Sequence, residues 1–200
     1  MLDLPTDLPA ELAPLSWLIG VWEGTGVIDY ETETHHFAGE FTHRVSFSHD
    51  GGGFLNYSAS AWLHGDDDVR TSLVSEVGYW RLALAAEVSD PGPALLSPQG
   101  PPLARTVDDI EKLRNEAGAF DIEVSLVHSN GVSELYLGQI AGPRVDIATD
   151  AIVRPVGAKP YGAATRMYGL VDAHLLWAWD IAALGKELSS HASARLARLE

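Results

Sequence analysis

Gly20-Val21-Trp22-Glu23-Gly24-Thr25-Gly26, a GxWxGxG run at the start of the first strand-like stretch, is the reading that decides the fold. Its glycines let a strand bend sharply and lie close against another backbone, and the tryptophan is large enough to plug a barrel end. Outward from it, strand-like segments alternate with turn signals. The segments are 24–30, 41–47, 54–63, 73–81, 120–128, 132–140, 144–154, 164–171, 175–184 and a last one after Leu188. The turns are Asp50-Gly51-Gly52-Gly53, Gly65-Asp66-Asp67-Asp68 and Asn130-Gly131. This pattern predicts an all-β protein: an antiparallel up-and-down β-barrel of about ten strands, lipocalin- or fatty-acid-binding-protein-like, wide enough for one small ligand.

Residues 1–19 carry Pro5, Pro9 and Pro14 with the apolar cluster Leu12, Leu15, Trp17, Leu18 and Ile19, which predicts a short N-terminal helix packed under the barrel. The meander is interrupted at about 84–119. That stretch holds five prolines between Ser89 and Leu103, then Val107-Asp108-Asp109-Ile110-Glu111-Lys112-Leu113-Arg114, with acids early and bases late as a short helix requires. It reads as a loop–helix insertion, either solvated between two strands or acting as a flap over the cavity mouth or a dimer contact. Residues 1–200 are expected to form a single domain, and a homodimer is one possible assembly.

The chain has 200 residues, a hydrophobic content of 46% and a net charge of −15. No apolar run approaches the ~20 residues of a membrane span, and no leader-like segment is seen, so a cytoplasmic location is expected. Lys112, Lys159 and Lys186 are the only lysines. So acidic a chain lacks the field that nucleic acid or an anionic membrane needs, and neither is expected as a partner. Cysteine is absent, which removes disulfides, thiolate-bound zinc, iron–sulfur clusters and cysteine nucleophiles. There is no GxSxG elbow, P-loop or HExxH helix. Histidine becomes the residue to follow.

Several ordered motifs together resemble the nitrobindins, a family of fatty-acid-binding-protein-like heme barrels. They are the GxWxGxG run of Gly20, Trp22, Gly24 and Gly26 after Leu15-Ser16-Trp17-Leu18-Ile19, and Phe47-Ser48-His49 followed by Gly53-Phe54-Leu55-Asn56-Tyr57. Further on come Ser75-Glu76-Val77-Gly78-Tyr79-Trp80-Arg81, Ala158-Lys159 ahead of Arg166-Met167-Tyr168, and Asp180-Ile181-Ala182-Ala183-Leu184-Gly185 before Leu188-x-x-His191. The resemblance covers 12–81 and 120–198. It implies a heme b cofactor, His191 as the proximal iron ligand, and Lys159 in contact with the heme. It further implies isomerization of peroxynitrite to nitrate and binding of nitric oxide at ferric iron.

Taken on its own residues, His191 precedes an alternating Ala192, Ser193, Ala194 and Arg195; Gly185 and Ser189-Ser190 favour a strand there over a helix. A neutral imidazole can hold iron by one nitrogen while the other donates to Ser189, Ser190 or a backbone carbonyl. Lys159 also reads as a solvated turn residue beside Pro160. His35, His36 and His43 read as residues of an exposed sheet face, and His49, His64, His128 and His174 as neighbours of turns. Two departures from the family pattern stand out: Val74 where many relatives carry a histidine, and Ile181 in place of a methionine. Val74 predicts a more apolar wall on the open side of the iron, and Ile181 preserves bulk while losing a polarizable thioether. The alternative function is a heme-free carrier or sensor of a fatty acid or other apolar molecule, with Arg166 as the internal cation for a carboxylate.

Overall fold

The computed structural model describes residues 8–65, 69–101 and 104–199; Pro5, Asp66-Asp67-Asp68, Pro102 and Leu103 lie outside them. The strands are β1 (Gly20–Glu31), β2 (His36–Ser48), β3 (Phe54–His64), β4 (Arg70–Ser72), β5 (Glu76–Leu82), β6 (Phe120–His128), β7 (Ser133–Ala141), β8 (Arg144–Val153), β9 (Tyr161–Val171), β10 (His174–Ala183) and β11 (Ser189–Arg198). Ten of them form one antiparallel ring in the order β2-β1-β11-β10-β9-β8-β7-β6-β5-β3, closed by pairing of β2 with β3. β4 is a short addition beside the end of β3. The expected up-and-down barrel is present. The expected strand at 73–81 is shorter, because Leu73, Val74 and Ser75 leave the ladder between β4 and β5.

The strands form for the period-2 reason: in β6, Phe120, Ile122, Val124 and Leu126 are buried while Asp121, Ser125 and Val127 face out. The GxWxGxG run sits at the seam where β1 meets β11. A Cβ on Gly24 would lie 2.2 Å from the Arg195 carbonyl oxygen, and one on Gly26 would lie 2.3 Å from that of Ser193 and 2.6 Å from the Phe41 ring. Only glycine lets the two backbones run this close. Trp22, 2% exposed, plugs the barrel end, and its indole N–H donates to the Leu18 carbonyl at 2.8 Å.

That end is closed by a 3-10 segment, Ala10–Leu18, which buries Leu12, Leu15, Trp17 and Leu18. The insertion packs there too. Its helix α1 (Val107–Glu111) starts with a capping box between Thr106 and Asp109, buries Ile110, and is tied to the 3-10 segment by an Arg105–Glu11 ion pair at 3.2 Å. The insertion is therefore no flap over the cavity mouth; it braces the closed end. α1 is also shorter than the run 107–114, because Arg114 turns back to Glu111 and to the Gly118 carbonyl. The opposite end gathers the connections β1–β2, β3–β5, β6–β7, β8–β9 and β10–β11. Among the described residues no helix is long and apolar enough to cross a membrane.

Candidate functional site

Between β1, β2, β3, β10 and β11 the barrel encloses a cavity of about 160 Å³. β1, β10 and β11 contribute Ile28, Trp177, Trp179, His191 and Ala192; β2, β3 and the stretch 73–76 contribute Phe41, His43, Ala59, Ala61, Leu73, Val74 and Glu76. His191 and Ala192 are successive residues, yet both face in. The reason is a β-bulge: Trp179 pairs with Ala192 and Asp180 with Ser190, so His191 is the extra residue of β11. Without it, the alternation that buries Ala192, Ala194 and Leu196 would turn His191 outward.

The His191 ring is wedged between Tyr30 (centroids 5.6 Å) and Trp179 (5.3 Å), each edge-on. Burial, aided by the Arg166 charge, lowers its pKa to about 4, so the imidazole is neutral at physiological pH. Its Nδ1 is buried without a hydrogen-bond partner, as is Ser189 Oγ. The acceptor expected from Ser189, Ser190 or a carbonyl is thus not engaged by Nδ1.

Below the cavity lies a buried polar network. The Arg166 guanidinium donates to both Glu76 oxygens (2.7 and 2.9 Å), to Glu134 Oε2 (3.2 Å) and to the Tyr136 hydroxyl (2.9 Å), and it stacks on Trp179 at 4.0 Å. His128 lies 2.7 Å from Glu134, which also accepts from the Tyr161 hydroxyl; Tyr57 donates to Glu76 at 3.2 Å. Burial alone would raise the Glu76 carboxyl, but the Arg166 charge and hydrogen bonds outweigh it and hold Glu76 below the usual range. The same guanidinium contributes to holding His191 neutral.

Lys159 sits in the β8–β9 connection at the open end, exposed, with its carbonyl accepting from Arg154 at 3.0 Å. The neighbouring Pro160 carbonyl accepts from Leu184 of the β10–β11 connection. Sequence reasoning missed Lys186 in that connection: its ammonium lies 5.0 Å over the Tyr30 ring that abuts His191. The signal was available, since only three lysines exist and this one lies five residues before His191. His43 was also misread. Far from an exposed sheet face, it is 6% exposed, lines the cavity, and stacks on Trp177 with centroids 4.7 Å apart. The wall facing His191 is therefore not wholly apolar, although Val74 does line it. Ile181 is buried in the core.

The residues fit a heme. The walls are mainly apolar, and among the described residues five buried unpartnered atoms belong to residues that line this space: Nδ1 and Nε2 of His43, Nδ1 of His191, and Nε1 of Trp177 and Trp179; those of Trp17, Trp80, Tyr168 and Ser189 belong to residues outside it. The enclosed volume is below the ~300–1,000 Å³ usual for a ligand pocket, so a macrocycle would displace part of the rim. A larger concavity, about 910 Å³, lies on the outside of the barrel across β6–β10. It is walled by outward side chains such as Asp121, Leu137 and Met167, and holds no unpartnered histidine.

Known proteins agree with this geometry. The model of a family described as the THAP4-like, heme-binding beta-barrel domain matches residues 11–198. The chain is 60% identical over 200 residues to a peroxynitrite isomerase of Leifsonia xyli subsp. xyli and 56% identical to one of Clavibacter michiganensis subsp. michiganensis, in each case across 100% of both chains. The crystal structure of Rv2717c from M. tuberculosis shares the fold, with a TM-score of 0.66 at 24% identity over 99% of this chain and 100% of that one. On the strength of the family match and these full-length relatives, the chain belongs to the THAP4-like heme-binding β-barrel family.

Proposed function

We propose that this chain binds heme b in the His191 cavity, isomerizes peroxynitrite to nitrate there, and also takes up nitric oxide. The observation that carries the reading is His191 itself: a neutral, inward-turned imidazole with an unpartnered nitrogen in a mainly apolar cavity, the extra residue of the β11 bulge. Metal ligation requires the unprotonated ring, and burial together with Arg166 provides it. Lys159 and Lys186 at the open end supply positive charge for the two carboxylates of the heme. The absence of cysteine is compatible with action in the cytoplasm.

Heme supplies the iron at which peroxynitrite rearranges. Substrate and product are isomers, so neither an oxidant nor a reductant is consumed. The chain's own part would be to hold the metal from His191 and to exclude water from the site with Phe41, Ala59, Ala61 and Val74. The carrier alternative loses its anchor. Arg166 is fully buried and already bound to Glu76, Glu134 and Tyr136, so it is not free to hold a fatty-acid carboxylate.

The test is a ferric heme titration of the apoprotein, read at the Soret band, beside His191→Ala. Stoichiometric uptake by the wild type, lost in the variant while its far-ultraviolet circular dichroism is unchanged, is the expected result. Equal uptake by both would refute His191 as ligand. Peroxynitrite decay by the loaded wild type should then give nitrate in place of nitrite.

A further inference from the structure

We infer that His43 is the hydrogen-bond donor to whatever ligand the iron carries on the side turned away from His191. The inference rests on the heme reading above and assigns a residue that the reading leaves unused. A ligand on that side meets Phe41, His43, Ala59, Ala61, Leu73, Val74 and Glu76. Two of these are polar at the tip, and Glu76 is committed to Arg166 and Tyr57. His43 has no side-chain partner: neither ring nitrogen lies in hydrogen-bonding geometry with another group although the side chain is buried, and the Ser60 backbone is the weakest of the influences on the ring.

A buried imidazole with both nitrogens idle is costly, because desolvation is not offset by any bond. Nothing in the packing needs nitrogen there. The ring stacks on Trp177 at 4.7 Å and meets Phe41 edge-on at 6.0 Å, contacts a phenyl ring would make as well. Burial brings its pKa to about 4 against the pull of Glu76, so near neutrality it carries one N–H and one bare nitrogen. Through its N–H such a group can donate to a bound oxygen or anion, and a bare anion has no proton to offer the other nitrogen in return. A donor fixed beforehand by ring stacking stabilises developing negative charge without reorganising. Val74, standing where a histidine was expected, offers no such donor; the imidazole comes instead from β2.

Fluoride is the probe, because it binds ferric heme as a bare anion and its affinity reports a nearby donor. The protein is loaded with ferric heme as wild type, His43→Phe and His43→Gln. Phe keeps the stacking on Trp177 and removes both nitrogens; Gln keeps a donor without the ring. Soret titration should give the same heme uptake for all three. Fluoride affinity should fall roughly ten- to a hundred-fold in His43→Phe and recover most of that in His43→Gln. The C–O stretching frequency of the ferrous carbonyl complex should shift in Phe and return towards wild type in Gln. Heme uptake with unchanged fluoride affinity in His43→Phe overturns this inference alone. A low-spin, six-coordinate wild-type spectrum that turns high-spin in His43→Phe overturns it also, by making His43 an iron ligand. Failure of the wild type to take up heme overturns the inference and the heme reading together.

Discussion

His191 faces the cavity because β11 carries one residue more than its partner, and this is where residue-level reading of the sequence stopped. Ala192, Ser193, Ala194, Arg195 and Leu196 alternate cleanly, and strict alternation puts His191 outside. A bulge leaves no mark in a single sequence, so only the family resemblance pointed to this histidine. His43 failed for the converse reason. Its neighbours Thr42 and Arg44 are polar, but Phe41, Val45 and Phe47 set an inward phase on which His43 also falls. The GxWxGxG glycines, by contrast, were legible, because close backbone approach has a residue type of its own. Gly24→Val should lower the unfolding free energy by more than about 3 kcal/mol, since its side chain would push β1 off β11 at the Arg195 carbonyl. Urea denaturation checks this; a loss under about 1 kcal/mol would show that the seam yields.

At the scale of elements, all ten barrel strands were legible, most within two or three residues of their ends, because turn residues and period-2 burial coincide. The short β4 was not, nor was the break at Leu73–Ser75, which has strand-like composition and leaves the ladder all the same. The position of the insertion was not legible either, because a proline-rich loop carries no signal for which end of a barrel it packs against. These two elements should respond differently to ligand. The enclosed volume of about 160 Å³ requires the rim to give way, and the stretch from β4 to Ser75 is the wall least held by strand pairing. Heme loading is expected to change amide hydrogen exchange by at least severalfold over 70–75 and to leave α1 and the 3-10 segment unchanged. Protection confined to the closed end would contradict this assignment of the mouth.

For the whole molecule, the buried histidines and carboxylates give stability one sense of pH dependence. His43 and His191 each fall from the usual 6.5 to about 4 on folding, so the unfolded chain binds more protons between those values. Their contribution is fully present above about pH 6.5 and is lost as the pH falls towards 4. Glu76 and Glu134 are held below their usual 4.5, so they add a loss of the same sign at still lower pH. The apoprotein should lose a few kcal/mol of unfolding free energy between pH 7 and pH 5, measured in urea at constant ionic strength. The double variant His43→Phe/His191→Phe should show a much flatter profile over that window. A wild-type profile that is already flat would mean the rings are solvated in solution.

β1 pairs with β11, so strands from opposite ends of the chain order lie side by side in the ring. During synthesis, β1 must wait with an unpaired edge until the whole meander has been made, and the imidazole arrives on the same late strand that completes the seam. A nascent or truncated chain therefore has no closed cavity and no His191. On the proposed reading of His191 as iron ligand, heme would be held only by a finished barrel.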